Sequence, residues 1–159
     1  MMQNQLRHDG GSKKNASVLI VDPNPLSLIA TAGVLHYHGY VCTCARTASS
    51  AQQAARETAL DLLLWDVADD AAAVLESLAQ LRLIVGLDHL PSILFAESRW
   101  AGLEKKTQQL SIPTRTLFKP IDPDALMAVV EQLLWMPSLI SLHRKRGTKP
   151  SRTGWVTLE

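Results

Sequence analysis

The sequence predicts an α/β fold, a doubly wound five-stranded parallel sheet with helices on both faces. Two observations predict it. Short apolar runs of strand length alternate five times with longer segments of helical period, and several of those segments carry their own cap residues. Parallel neighbours need crossover connections, and right-handed crossovers set helices against both faces of the sheet.

Taken in order, residues 1–16 are polar, contain Gly10-Gly11 and show no periodicity, so they read as a disordered arm. From Ser17, "SVLIVD" suits a strand buried on both faces. The helix after it has Asn24 as N-cap, Pro25 at its first position and Gly39 as its stop. "YVCTCA" is the second strand, and the helix in "TASSAQQAARETAL" is capped by Thr47 or Ser49, with Ala51, Ala54 and Ala55 as a small-residue face. "DLLLWD" is the third strand. The next helix begins with Asp69 and Asp70, acids favoured in a first turn, and sets Val74, Leu75, Leu78 and Leu81 at helical spacing. "PSILFA" makes the fourth strand, "SRWAGLEKKTQQL" a fourth helix capped by Ser98, and "TRTLFK" the fifth strand. The last helix, "DPDALMAVVEQLLWM", has Asp122 as N-cap, Pro123 at the first position and Leu126, Val129, Val130, Leu133 and Leu134 on its apolar face.

The 159 residues suffice for one domain with an ordinary core, folded over 17–136 and followed by a basic tail over 137–159 with no output domain. A hydrophobic content of 47% with 19% charged residues describes a globular soluble protein. No apolar run approaches the roughly 20 residues of a membrane helix, and the N-terminus lacks the apolar stretch of a signal peptide, which points to the cytoplasm. The net charge of +1 is uneven: residues 17–136 hold 8 basic and 13 acidic residues, hence −5, against +2 before them and +4 after them. The basic run "LHRKRGTKPSR" is too short for a DNA-binding domain and reads as a solvated tail, so nucleic acid is not the expected partner.

Cys42 and Cys44 share one strand face, a poor geometry for a mutual bridge, and read as reduced, buried thiols. His36 and His38 nearby match no zinc spacing and read as helix-end residues. Trp65 points away from the face of its neighbour Asp66 and belongs to the core, whereas Trp100 and Trp135 are either exposed anchors or packing residues.

In an open parallel sheet, functional groups gather beyond the carboxyl ends of the strands, where strand order reverses. Strand one ends in Asp22, strand three in Asp66, strand four in Ala96 and Glu97, and strand five in Lys119 followed by Pro120. Singly, each charge has an ordinary explanation as a cap, a turn residue or a solvated side chain. Jointly, they place two carboxylates and a lysine on one rim.

The motifs "VLIVDPNP", "DLLLWDV" and "LFKP", with 44 residues from Asp22 to Asp66 and 53 from Asp66 to Lys119, resemble the receiver domains of two-component signalling systems. The resemblance covers Ser17 to about Met136 and implies the flavodoxin-like fold of that family. It implies Asp66 as phosphoacceptor, Lys119 as the group that pairs with the phosphoryl, and Asp22 with Asp66 as ligands of Mg²⁺. It further implies a sensor histidine kinase or phosphotransfer protein as donor. The face formed by helix four, strand five and helix five would serve a downstream protein or a second copy of the chain.

The sequence departs from the family pattern at named positions. Pro23 stands where a second acid is usual and offers no carboxylate, which weakens the expected Mg²⁺ site. Ala96 stands where a Thr or Ser hydroxyl is usual, Thr116 where an aromatic is frequent, and no Met-Pro follows Asp66. Asp69 or Asp70 restores charge at the metal site only if the loop folds back. These departures keep a second reading open, a degenerate receiver acting as a phosphorylation-independent interaction module. An enzyme is not expected: the D-x-D pattern of haloacid dehalogenase-type phosphatases would need an acid at Ala68, and no Gly-rich phosphate loop or nucleophile elbow is present.

Overall fold

The computed structural model describes residues 15–84, 86–100, 102–108 and 113–145. The five apolar runs form parallel strands: β1 (Ser17–Val21), β2 (Val41–Ala45), β3 (Leu62–Asp66), β4 (Ser92–Ala96) and β5 (Thr114–Phe118). They pair in the order β2-β1-β3-β4-β5, with Val21 opposite Trp65 and Ala96 opposite Phe118. Between and after them run α1 (Pro25–Tyr37), α2 (Ala48–Glu57), α3 (Ala71–Leu81), α4 (Leu103–Gln108) and α5 (Pro123–Lys145). The predicted doubly wound sheet is the observed one.

Strand alternation divides the core into two layers. Val18, Ile20, Leu62, Leu64, Ile93 and Phe95 face α1 and α5, while Leu19, Val21, Leu63, Trp65, Leu94 and Ala96 face α2, α3 and α4. All residues of β3 and β4 are buried, as expected of central strands covered on both faces. Trp65 is in the core as predicted.

The caps explain where the helices begin and end. The Asn24 side chain accepts from the N–H groups of Leu26 and Ser27, with Pro25 at the first helical position. At the other end Gly39, at φ 94°, donates to the His36 carbonyl, and Tyr40 donates to that of Leu35, a Schellman closure with both Tyr40 and Leu35 in the core. Thr47, rather than Ser49, caps α2 through a capping box with Ser50. Asp122 accepts from the Ala125 N–H at the start of α5.

Several expectations are corrected. The fourth helix is not continuous from Ser98: Ser98–Trp100 form a 3-10 turn closed by the Trp100 N–H on the Glu97 carbonyl, and α4 starts only after Gly102. Ser98 is therefore not its N-cap, and glycine's poor helix propensity accounts for the break. Asp70 is the N-cap of α3, accepting from the Ala73 N–H, so neither Asp69 nor Asp70 lies in its first turn. Helix α5 continues past Met136 to Lys145, through Pro137, a residue that helix rules place at ends. Ala16 is buried and its carbonyl accepts from Val41, so the folded chain includes a residue assigned to the arm.

The cysteines are free but not both buried: Cys42 is half-buried and Cys44 exposed, because β2 is an edge strand. Burial, and then the neighbouring Cys44, push the Cys42 thiol up to about 11, so it is protonated at neutral pH. Residues 1–14 of the expected arm, 101 and 109–110 of the expected fourth helix and 146–159 of the expected tail lie outside the described residues. Among the described residues, no helix is long and apolar enough to cross a membrane.

Candidate functional site

The order of strands reverses between β1 and β3, so the crevice of this sheet opens beyond their carboxyl ends. Backbone ladders continue past the strands and hold the chain there. The Asp22 N–H donates to the Ala45 carbonyl at 3.0 Å, Val67 to Phe95 at 2.9 Å and Lys119 to Ala96 at 2.8 Å. The three residues picked out in the sequence thus leave the sheet from fixed positions. They converge on one open cavity of about 780 Å³, whose walls include Asn24, Ser27 and Glu97.

Asp66 is 5% exposed, and its two oxygens have different partners. Oδ1 accepts from the Ala68 N–H at 2.9 Å, and Oδ2 pairs with Lys119 Nζ at 2.7 Å. Asp22, 4% exposed, accepts from the Asn24 N–H at 2.9 Å through Oδ1 and from the Ser27 hydroxyl through Oδ2. A buried carboxylate without such partners would be costly. Here every carboxylate oxygen is met, and Lys119, 37% exposed, keeps one side toward solvent.

Ala68 closes the loop beneath Asp66 in a left-handed conformation, φ 56°, that disfavours residues with a Cβ. Ala68→Gly is expected to raise the unfolding free energy by about 1 kcal/mol, the reverse of the usual cost of a Cβ at positive φ. Urea denaturation checks this, and a loss of stability would show that the Ala68 methyl matters more than its backbone.

The departures from the family pattern occupy defined places. The Pro23 carbonyl accepts from Arg46 Nε at 3.3 Å and Nη2 at 3.2 Å, so the backbone oxygen at the position of the usual second acid is engaged by a guanidinium. Ala96 is fully buried, and Thr116 is buried with its hydroxyl unpartnered among the described residues. Asp69 lines the cavity, but its carboxylate reaches outward to Arg99 Nη2 at 3.2 Å, and Asp70 is spent on its cap. Neither loop acid folds back onto Asp22.

Mg²⁺ commonly accepts one or two protein carboxylates and completes its shell with water. Asp22 and Asp66 supply that minimum at one cavity. Among the described residues no group of three His, Cys, Asp or Glu side chains is placed to hold a metal ion. The donor set therefore fits a weakly held Mg²⁺ and no dedicated cage.

Sequence reasoning missed Ser27, Arg46 and Arg99. Ser27 had a local signal, its place three residues after an N-cap asparagine beside a strand-end acid. The contacts of Arg46 with Pro23 and of Arg99 with Asp69 had none, because these partners lie 23 and 30 residues away in the chain.

By sequence, the chain matches no protein-family model. It also matches no curated relative. By structure it resembles chemotaxis protein CheY4 of Vibrio cholerae, with a TM-score of 0.68 and 20% identity over 75% of this chain and 98% of that one. The fold is that of a receiver domain. The receiver domain of NtrX from Brucella abortus gives a TM-score of 0.66 at 21% identity, again over 75% and 98% of the two chains. The receiver domain of a sensor histidine kinase from Pseudomonas aeruginosa, solved with a magnesium ion in its active-site cleft, gives 0.62 at 19% identity over 76% and 98%. In a receiver fold, the rim carrying Asp22, Asp66 and Lys119 is the carboxyl edge of the sheet, at the point where ligands of open α/β sheets bind.

Proposed function

We propose that the chain is a phosphorelay receiver that takes a phosphoryl group on Asp66 and passes the signal on through protein contacts. The ion pair of Asp66 with Lys119, at 2.7 Å on the floor of the cavity that also holds Asp22, carries this reading. In the transfer, an Asp66 carboxylate oxygen attacks the phosphorus of a phosphohistidine or acetyl phosphate. The bond from phosphorus to the donor breaks, and imidazole or acetate leaves with the bonding pair. Charge accumulates on the phosphoryl oxygens. The Lys119 ammonium stands beside the acceptor to balance it, and Mg²⁺ held by Asp22 and Asp66 would supply further neutralisation when bound.

The donor on this reading is a sensor histidine kinase or a phosphotransfer protein. The folded unit of the sequence reading, residues 17–136, is the signalling module, and the work is cytoplasmic. The output surface is the face of α4, β5 and α5, where Trp135 is 42% exposed, and it engages a downstream protein or a second copy of the chain. A phosphorylation-independent interaction module is the second reading. Two observations favour it: the buried methyl of Ala96 offers no hydroxyl, and Arg46 occupies the Pro23 carbonyl.

Intact mass after incubation with Mg²⁺ and acetyl phosphate tests the choice. One added phosphoryl group, absent from Asp66→Asn, is the expected result. A folded protein whose mass does not change would decide for the second reading.

A further inference from the structure

Arg99 is the one guanidinium that bridges two carboxylates of the cavity wall among the described residues. Its Nη2 contacts Asp69 Oδ1 at 3.2 Å, its Nε contacts Glu97 Oε1 at 2.9 Å, and both acids line the cavity of Asp66. Asp69 lies in the loop after the acceptor strand, and Glu97 lies in the loop after β4, so Arg99 ties the two loops together. The guanidinium also stands over the Trp100 ring, 5.1 Å from its centre. Trp100 is half-buried against the core, yet its Nε1 is buried with no acceptor among the described residues. An unmet buried donor costs about 1–3 kcal/mol, so the Ser98–Trp100 turn rests in an arrangement that a rearrangement can improve.

We infer that Arg99 senses a phosphoryl group on Asp66, in the role that the side chain of Ala96 cannot fill. The inference rests on the reading of Asp66 as phosphoacceptor. A phosphoryl group brings a charge of about −1.5 to −2 and three acceptor oxygens to a cavity whose wall already carries Asp69 and Glu97. A guanidinium prefers bidentate pairing with a phosphoryl group, and the two acids that hold Arg99 are exposed. It therefore leaves Asp69 and Glu97 for the phosphoryl oxygens. The 3-10 turn moves with it, and Trp100 changes its surroundings just ahead of α4. The input at Asp66 is thereby coupled to the helix-four face.

Tryptophan emission and intact mass, followed together on adding acetyl phosphate and Mg²⁺, test the inference. The share of the emission change that disappears in Trp100→Phe is the signal of the turn. Compared at matched phosphoryl occupancy, the turn signal of Arg99→Ala is expected to fall about fivefold or more below that of the unaltered chain; Arg99→Lys, a point charge without the fork, recovers only part of it. Equal turn signals in Arg99→Ala and the unaltered chain at matched phosphoryl occupancy would overturn the role of Arg99 alone. So would an emission change that Trp100→Phe leaves intact. A chain that takes up no phosphoryl group overturns the reading of Asp66, and this inference with it.

Discussion

Truncating Leu64 to alanine is expected to lower the unfolding free energy by about 3–4 kcal/mol, a large part of the 5–15 kcal/mol that stabilises a domain of this size. Leu64 has no exposed surface and lies in β3, between β1 and β4. Its side chain belongs to the layer of Ile20, Ile93 and Phe95, which is closed by α1 and α5. A strand paired on both edges cannot shift to fill the space, so the transfer cost and the cavity cost add. Urea denaturation checks the figure: the midpoint falls while the slope stays constant if the native fold is kept. A loss under 1 kcal/mol would show that the layer between sheet and α1 collapses around the deletion. Leu26→Ala, at a side chain 78% exposed on α1, serves as the control, with a change within about 0.5 kcal/mol.

The same strand shows why most of this fold was legible in the sequence. "LLLW" reads as doubly buried because no polar residue interrupts it, and Asp66 ends it because a carboxylate cannot continue into the core. Asn24 with Pro25 and Asp122 are local signals, and both caps stand as read; of the two candidates for α2, Thr47 is the cap. Strand order is different in kind. Nothing in "VCTCA" says that β2 lies at the edge, so Cys44 was expected inside and stands outside. The fourth helix failed for a local reason, the break at Gly102 within the segment that Ser98 was expected to cap.

The candidate site divides along the same line. Strand ends announced Asp22, Asp66 and Lys119, because an α/β sheet sends its carboxyl ends to one rim whatever the strand order. That rule brings Lys119 to the rim, and the folded chain shows its pairing with Asp66. The contacts of Arg46 with Pro23 and of Arg99 with Asp69 join one loop to another, and only the folded chain shows which loops are neighbours. The sequence did show what was absent, namely an acid at Pro23 and a hydroxyl at Ala96, since an absence is read at a single position.

On the proposed reading of Asp22 and Asp66 as Mg²⁺ ligands, placing an acid at position 23 is expected to strengthen Mg²⁺ binding at least about tenfold, or 1.4 kcal/mol. Asp22 and Asp66 are buried carboxylates of the cavity, and each already accepts two hydrogen bonds or ion-pair contacts. A third carboxylate roughly 5 Å from a divalent ion gains several kcal/mol by Coulomb's law at an effective dielectric constant near 20. Repulsion from Asp22 and the desolvation of the new group remove part of that gain. Arg46, already at the Pro23 carbonyl, removes more by pairing with the new side chain. The sign without metal is opposite. Added negative charge beside buried Asp22, together with loss of the proline ring, lowers stability in EDTA by about 1 kcal/mol. Pro23→Asp should therefore unfold more readily than the unaltered chain in EDTA and gain more from each increment of Mg²⁺, since a ligand stabilises in proportion to the logarithm of its saturation ratio. Thermal unfolding across a Mg²⁺ titration reads both effects in one series. Parallel curves for the two proteins would mean that an acid at position 23 does not reach an ion held at Asp22.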